Sequence, residues 1–217
     1  LGSAGVFFAS GAIAPPTLRV FGNFMLAGVS DVSTQVNPGF PGLRDRLRDA
    51  TAAAHRELDA QLSSFDLTVL TGYRRFLQAS AGALLPLEAA LEAAGVASMF
   101  PDWPDRSRSA AITADLGRLG GDATSSVSVP PLTPGGLLGT MYVLEGSRLG
   151  AKFLLKEVTE AVDPRIGAAT LYLRHGTGKR LWQSFLSKLE SEVCDEVEVI
   201  AAARMAFAAF EQAADRA

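Results

Sequence analysis

The chain has 217 residues, 20 Lys+Arg against 23 Asp+Glu, a formal net charge of −3 and 48% apolar residues. That length suits one domain with a sizeable core and an appended tail. The mild acidity (pI near 5.5) excludes a global basic footprint for nucleic acid or an anionic membrane. Cys194 stands alone, which excludes an internal disulfide and suits a reducing cytoplasm. No run reaches the roughly eighteen apolar residues that a membrane span needs.

In chain order, residues 1–42 lack helical periodicity and are dense in Gly, Pro, Ser and Val. They are expected to be a poorly ordered N-terminal extension, with the residues before Met25 upstream of a natural start there. The apolar piece "AGVFFASGAIA" has no basic residue ahead of it, which weighs against a secretory signal. From Leu43 the pattern turns helical, and residues 43–217 read as one domain. "LRDRLRDATAAAHRELDAQL" places Leu43, Leu47, Ala50, Ala54, Leu58 and Leu62 on one stripe at steps of three and four. A long helix follows, with Thr71 as its expected cap and Pro86 expected to bend or interrupt it. "FPDWPDRSRSAAITADLGRLGGD" predicts a loop and a short helix ended by Gly120 and Gly121.

After the polar loop "ATSSVSVPPL", Thr133 and Pro134 predict the N-cap and first position of a helix through "GTMYVLEGSRLGAKFLLKEV". Two more helices are predicted near 179–192 and 195–215. The run "SSVSV" is too short to build a sheet around. The fold class is therefore all-α, an irregular multi-helix bundle.

Only two histidines occur, which excludes a polyhistidine metal site. His175 precedes Gly176, where a helix ends, and reads as an exposed histidine complementing the helix dipole. His55 follows three alanines, with Asp59 one turn later on the same face. A carboxylate there can hold Nδ1–H and leave Nε2 free, the usual arrangement behind a metal-binding imidazole. Arg48 and Thr51 lie two turns and one turn earlier on that face, which suits an anionic metal cofactor such as heme. The same spacing also fits a surface His–Asp pair on an amphipathic helix. Gly139, Gly146 and Gly150, separated by seven and four residues, fall near one face of their helix. Such a stripe either admits another helix closely or leaves bare backbone for a flat ligand. Together with His55 it fits a planar macrocycle with one axial protein ligand and an open position for O₂.

These residues resemble a known family. "LRDATAAAHRELD" is similar to the proximal-helix signature of heme oxygenases, and "YVLEGSRLGAKFL" resembles their glycine-bearing distal helix. "SAAITADLGRLGGD" and "GTGKRLWQSFLSKLE" fit the same group, and the wording is nearest to bacterial members associated with bacteriophytochromes. The resemblance spans about residues 43–217.

It implies a heme oxygenase fold, with heme b between proximal and distal helices as substrate and cofactor. It implies oxidative cleavage to biliverdin, CO and Fe²⁺ with O₂ and an external electron donor. His55 would be the metal ligand, oriented by Asp59, and Gly146, Ser147 and Gly150 would form the catalytic distal wall. Arg48, Thr51, Tyr142, Arg148, Lys179, Arg180 and Phe207 would bind the cofactor. Arg48, Lys179 and Arg180 are the candidates for its propionates, and Phe207 and Phe210 are either pocket or core residues.

Ala151 stands where many members carry a third distal glycine, and Ser147 where mammalian-type members have an aspartate. Implied partners are a reductase, ferredoxin or small-molecule donor, with a bacteriophytochrome as bilin acceptor. The alternatives are a non-catalytic heme-binding or heme-trafficking protein on the same fold, and a helical interaction module without a cofactor.

Overall fold

A computed structural model describes residues 42–124 and 127–217. Residues 1–41, and with them the expected extension and the start at Met25, lie outside the described residues, as do Ser125 and Ser126 of "SSVSV". Among the described residues there are helices and no strand. Five long helices carry the fold: α1 (Leu43–Leu62), α2 (Leu70–Ala93), α6 (Pro134–Thr159), α9 (Leu181–Ser191) and α10 (Glu196–Arg216). Between them lie α5 (Ser109–Arg118) and four short turns: α3 (Val96–Met99), α4 (Trp103–Arg106), α7 (Pro164–Ala168) and α8 (Leu171–Arg174).

The helix boundaries have local causes. The Thr133 hydroxyl accepts from Gly136 N at 3.0 Å and Pro134 opens α6, as the sequence predicts. Asp195 caps α10 in the same way, accepting from Val197 N at 2.8 Å. Gly120 ends α5 with φ +68°, a left-handed conformation that glycine adopts without strain. Two expectations differ. Val69, not Thr71, precedes the first residue of α2, and Thr71 lies inside its first turn. Pro86 does not interrupt α2, which continues to Ala93. The proline removes one N–H, and the buried packing of residues 76–91 outweighs that loss.

Helix α10 is the central post, packed against α1, α2 and α6. Its apolar face is mostly alanine (Ala203, Ala206 and Ala213 are buried), so neighbouring helices approach closely. Both α1 and α6 run in its direction. On one side Arg46 pairs with Glu196, Arg204 donates to the Ala50 carbonyl at 3.1 Å, and Gln61 donates to Asp215 at 2.9 Å. On the other, Thr133 donates to Glu198 at 2.8 Å and Gly139 meets Val199–Ala203.

The Gly139 contact is the tightest of these. A Cβ there would lie 2.1 Å from the Val199 carbonyl oxygen and 2.9 Å from both Ala202 Cβ and Ala203 N. For Gly139 the reason for glycine is thus helix packing, one of the two uses left open by the sequence. Gly139→Ala should lower unfolding free energy by about 3 kcal/mol, since a rigid carbonyl blocks the methyl. Gly117→Ala, on the exposed face of α5 with nothing within 4 Å, should raise it by about 0.5 kcal/mol. Chemical denaturation of the two variants checks both signs.

Candidate functional site

Beyond Gly139 the helices enclose a cavity of about 860 Å³, counting the part open to solvent. Helix α1 contributes His55, Leu58, Asp59 and Leu62, while α6 contributes Val143, Gly146, Ser147, Gly150 and Leu154. Phe207 and Phe210 of α10 form the base, and Phe76, Arg108, Tyr172 and Leu173 complete the walls. The lining is mainly apolar.

On α1, His55 Nδ1 lies 2.9 Å from Asp59 Oδ2, with both side chains largely buried. The contact is electrostatic and not a well-aligned hydrogen bond, because Oδ2 has no hydrogen-bond partner among the described residues. The edge of Phe207 packs against the imidazole, with centroids 5.7 Å apart and planes at 69°. The ring is thus held from two sides. No hydrogen bond engages Nε2 among the described residues, so one nitrogen of a positioned imidazole is free for a ligand.

On α6, Gly146 and Gly150 present backbone where side chains would intrude. Ser147 is exposed and lines the cavity. Its hydroxyl donates to the Leu144 carbonyl at 2.8 Å and accepts from Arg108 Nη1 at 3.1 Å. Arg108 Nη2 donates to the same carbonyl at 3.0 Å, and its guanidinium lies over the Tyr172 ring at 5.2 Å. Although Arg108 is only 3% exposed, its Nε–H has no partner. A buried charged donor without an acceptor is costly, and here it borders a cavity.

Other expected site residues lie elsewhere. Thr51 and Tyr142 are buried against each other and do not line the cavity. Burial pushes the Tyr142 phenol up. Arg48 pairs on α1 with Asp45 at 3.1 Å and Asp49 at 3.3 Å. Lys179 pairs with Asp105 at 2.8 Å and lines a second depression on another side of α6; Arg180 is exposed at the start of α9. Arg148 also faces that depression, where Glu145 Oε2 accepts from it at 3.1 Å. Desolvation and the Arg108 charge lower Arg148 to about 10, so it stays cationic near neutrality. Glu145, 1% exposed, also pairs with buried Arg106 at 3.2 Å.

The sequence reasoning missed Arg108, Tyr172, Phe76 and Ser80. Arg108 carries no periodic or motif signal, because it sits in a polar run just before α5. His175 also differs from expectation. It is half-buried, with Nδ1 3.1 Å from Arg148 Nη1, and does not serve as an exposed cation at a helix end. Burial and then the cations Arg148 and Arg108 push it down to about 4.

Because the folded pKa is below the ordinary value of about 6.5, the unfolded chain takes up this proton first as pH falls. The contribution of His175 to stability is complete above pH 6.5 and is lost on acidification towards pH 4. NMR titration of the two histidine rings should give a midpoint near 4 for His175. His175→Asn should flatten the stability profile between pH 6.5 and 4.

No family model matches the chain. It is 31% identical over 175 residues to heme oxygenase PigA of Pseudomonas aeruginosa, covering 78% of this chain and 88% of that protein. Its fold matches that of the NO- and CO-bound heme oxygenase of Neisseria meningitidis with a TM-score of 0.66 at 24% identity, over 82% of this chain and 92% of that one. With the relative spanned almost end to end and the fold shared, this all-α chain belongs to the heme oxygenase family and is a heme oxygenase.

Proposed function

We propose that the cavity between α1 and α6 binds heme b with His55 as the iron ligand, and that the chain cleaves it to biliverdin, CO and Fe²⁺. One observation carries this reading: a positioned imidazole with a free nitrogen and a helix bearing two glycines line the same apolar cavity. The residues fit the group in chemistry, since the lining is mainly apolar and His55 offers a free ring nitrogen within it. When bound, heme supplies the iron that O₂ requires and is itself the molecule oxidised.

The chain's own residues supply four things. Asp59 and Phe207 hold the His55 ring and leave Nε2 free for ligation. Gly146 and Gly150 would leave space beside a bound heme and confine a small ligand by backbone alone. The apolar walls exclude bulk water. Arg108 acts by position, its guanidinium holding the Ser147 hydroxyl and the Leu144 carbonyl. The Ser147 oxygen, held by Arg108 Nη1, orders water beside the distal wall, and that water carries protons in place of a carboxylate. Ala151 lines the cavity next to Gly150 and leaves it open.

Arg48, two turns before His55 on α1, is our candidate for a propionate. Thr51 and Tyr142 brace α1 against α6 behind the site. Lys179, Arg180 and Arg148 have no such position on this cavity. Electrons come from a separate donor, a reductase, ferredoxin or small reductant, because the chain carries one cysteine and so cannot hold a four-cysteine iron–sulfur cluster. We place the reaction in the cytoplasm, with a bacteriophytochrome as a candidate acceptor of the bilin. Among the described residues no helix is long and apolar enough to cross a membrane.

His55→Ala should abolish the histidine–iron signature and efficient turnover of hemin. Asp59→Asn should retain binding and slow turnover by about 10-fold to 100-fold. Gly146→Leu should block the distal space without loss of fold, measured as lost hemin turnover with an unchanged helical spectrum. Full activity in His55→Ala would assign the ligand elsewhere.

A further inference from the structure

Helix α2 places one carboxylate, Glu88, deep in the protein at 2% exposure. It lines neither the cavity nor the second depression described above, yet it gathers the segment that carries Arg108. Glu88 Oε1 accepts from Arg108 N at 2.8 Å. Its Oε2 accepts from Ser109 N at 3.0 Å and from the hydroxyls of Ser107 and Ser109, each at 2.6 Å. Two backbone N–H groups and two hydroxyls thus converge on one carboxylate. The segment 107–109 starts α5, whose first N–H groups have no partners within the helix. Glu88 supplies that cap from another helix, 20 residues away in sequence.

The backbone position of Arg108 determines what its guanidinium can reach. From there it spans to Leu144 O and Ser147 Oγ on α6, over the Tyr172 ring. Tyr172 is anchored by a second buried carboxylate, because Asp115 of α5 accepts from Tyr172 N at 2.8 Å. Helix α5 is therefore a strut, fixed at its start by Glu88 and fixing Tyr172 through Asp115. Glu88 also offsets positive charge: Arg106, Arg108 and Arg148 cluster here, and the Glu88 charge favours the protonated forms of Arg148 and His175.

We propose that Glu88 is a positioning residue for the distal wall: its carboxylate fixes the Arg108 backbone so that the guanidinium meets Ser147 and Leu144 beside Gly146. This rests on the heme-cleaving role proposed for the cavity. A helix-capping carboxylate with no further role would affect stability alone. A positioning residue affects the step that needs Arg108 and acts only through Arg108.

The test is a double-mutant cycle of Glu88→Ala and Arg108→Ala, with Glu88→Gln as the shape-conserving variant should the alanine fail to fold. In the heme-free protein, the Arg108 Nε–H signal, assigned by its loss in Arg108→Lys, should be sharp in the parent. It should broaden or shift in the Glu88 variant, while the Arg106 signal stays. With hemin and reductant, the Glu88 variant should lose about 10-fold to 100-fold in turnover per folded molecule, with hemin affinity changed far less. Combined with Arg108→Ala it should add no further loss.

An unmoved Arg108 signal, or losses that multiply, would overturn the proposal. If Arg108→Ala itself left turnover unchanged, the water-ordering role of Arg108 would fall, and with it the functional part of this proposal. The Arg108 signal would still report whether Glu88 sets its position.

Discussion

The close approach of α6 to α10 at Gly139 is the constraint on which the remaining architecture depends. A carbonyl 2.1 Å from where a Cβ would stand leaves no room for any side chain, so the two helices meet backbone to backbone. Because α1 and α6 both run along α10, their N-terminal halves are fixed to one post. Their C-terminal halves then bound a space closed below by Phe207 and Phe210. Tight packing at one end and open volume at the other come from one helix using glycine in two ways. A uniformly close-packed trio would have no site, and a uniformly loose one would not hold its walls in register.

Electrostatics supply the second layer of order. Three arginines, Arg106, Arg108 and Arg148, cluster behind the α6 wall, with Glu88 and Glu145 buried among them. Each buried charge would be costly alone, and each is instead paired or hydrogen-bonded. The exception is the Nε–H of Arg108, which is buried without a partner. Burial, and then the same cationic surroundings, push His175 down.

Much of this was legible in the sequence, for physical reasons. Helices α1, α6 and α10 carry sustained periodicity, and α6 has its cap and proline in order, so their existence and bounds could be read. The His55–Asp59 spacing fixes a contact within one helix, which needs no knowledge of the fold. The division of labour along the glycines was not legible, since Gly139 and Gly146 occupy the same face and only the position of α10 distinguishes them. Arg108 and Glu88 were invisible because their partners are tertiary: one meets α6 across 36 residues, the other caps α5 from α2. Lys179 looked suitable by charge alone, yet its position gives it Asp105 as a partner.

The central claim is that this cavity both binds and cleaves heme through His55 and a distal wall lacking side chains. The most direct test is optical. Hemin is added to the purified full chain, and absorption is followed before and after a reductant is supplied in air. The account predicts a histidine-ligated heme spectrum that is lost in step with the appearance of biliverdin absorption and the release of CO. A stable bound spectrum under reductant and O₂, or no binding of hemin, would contradict it.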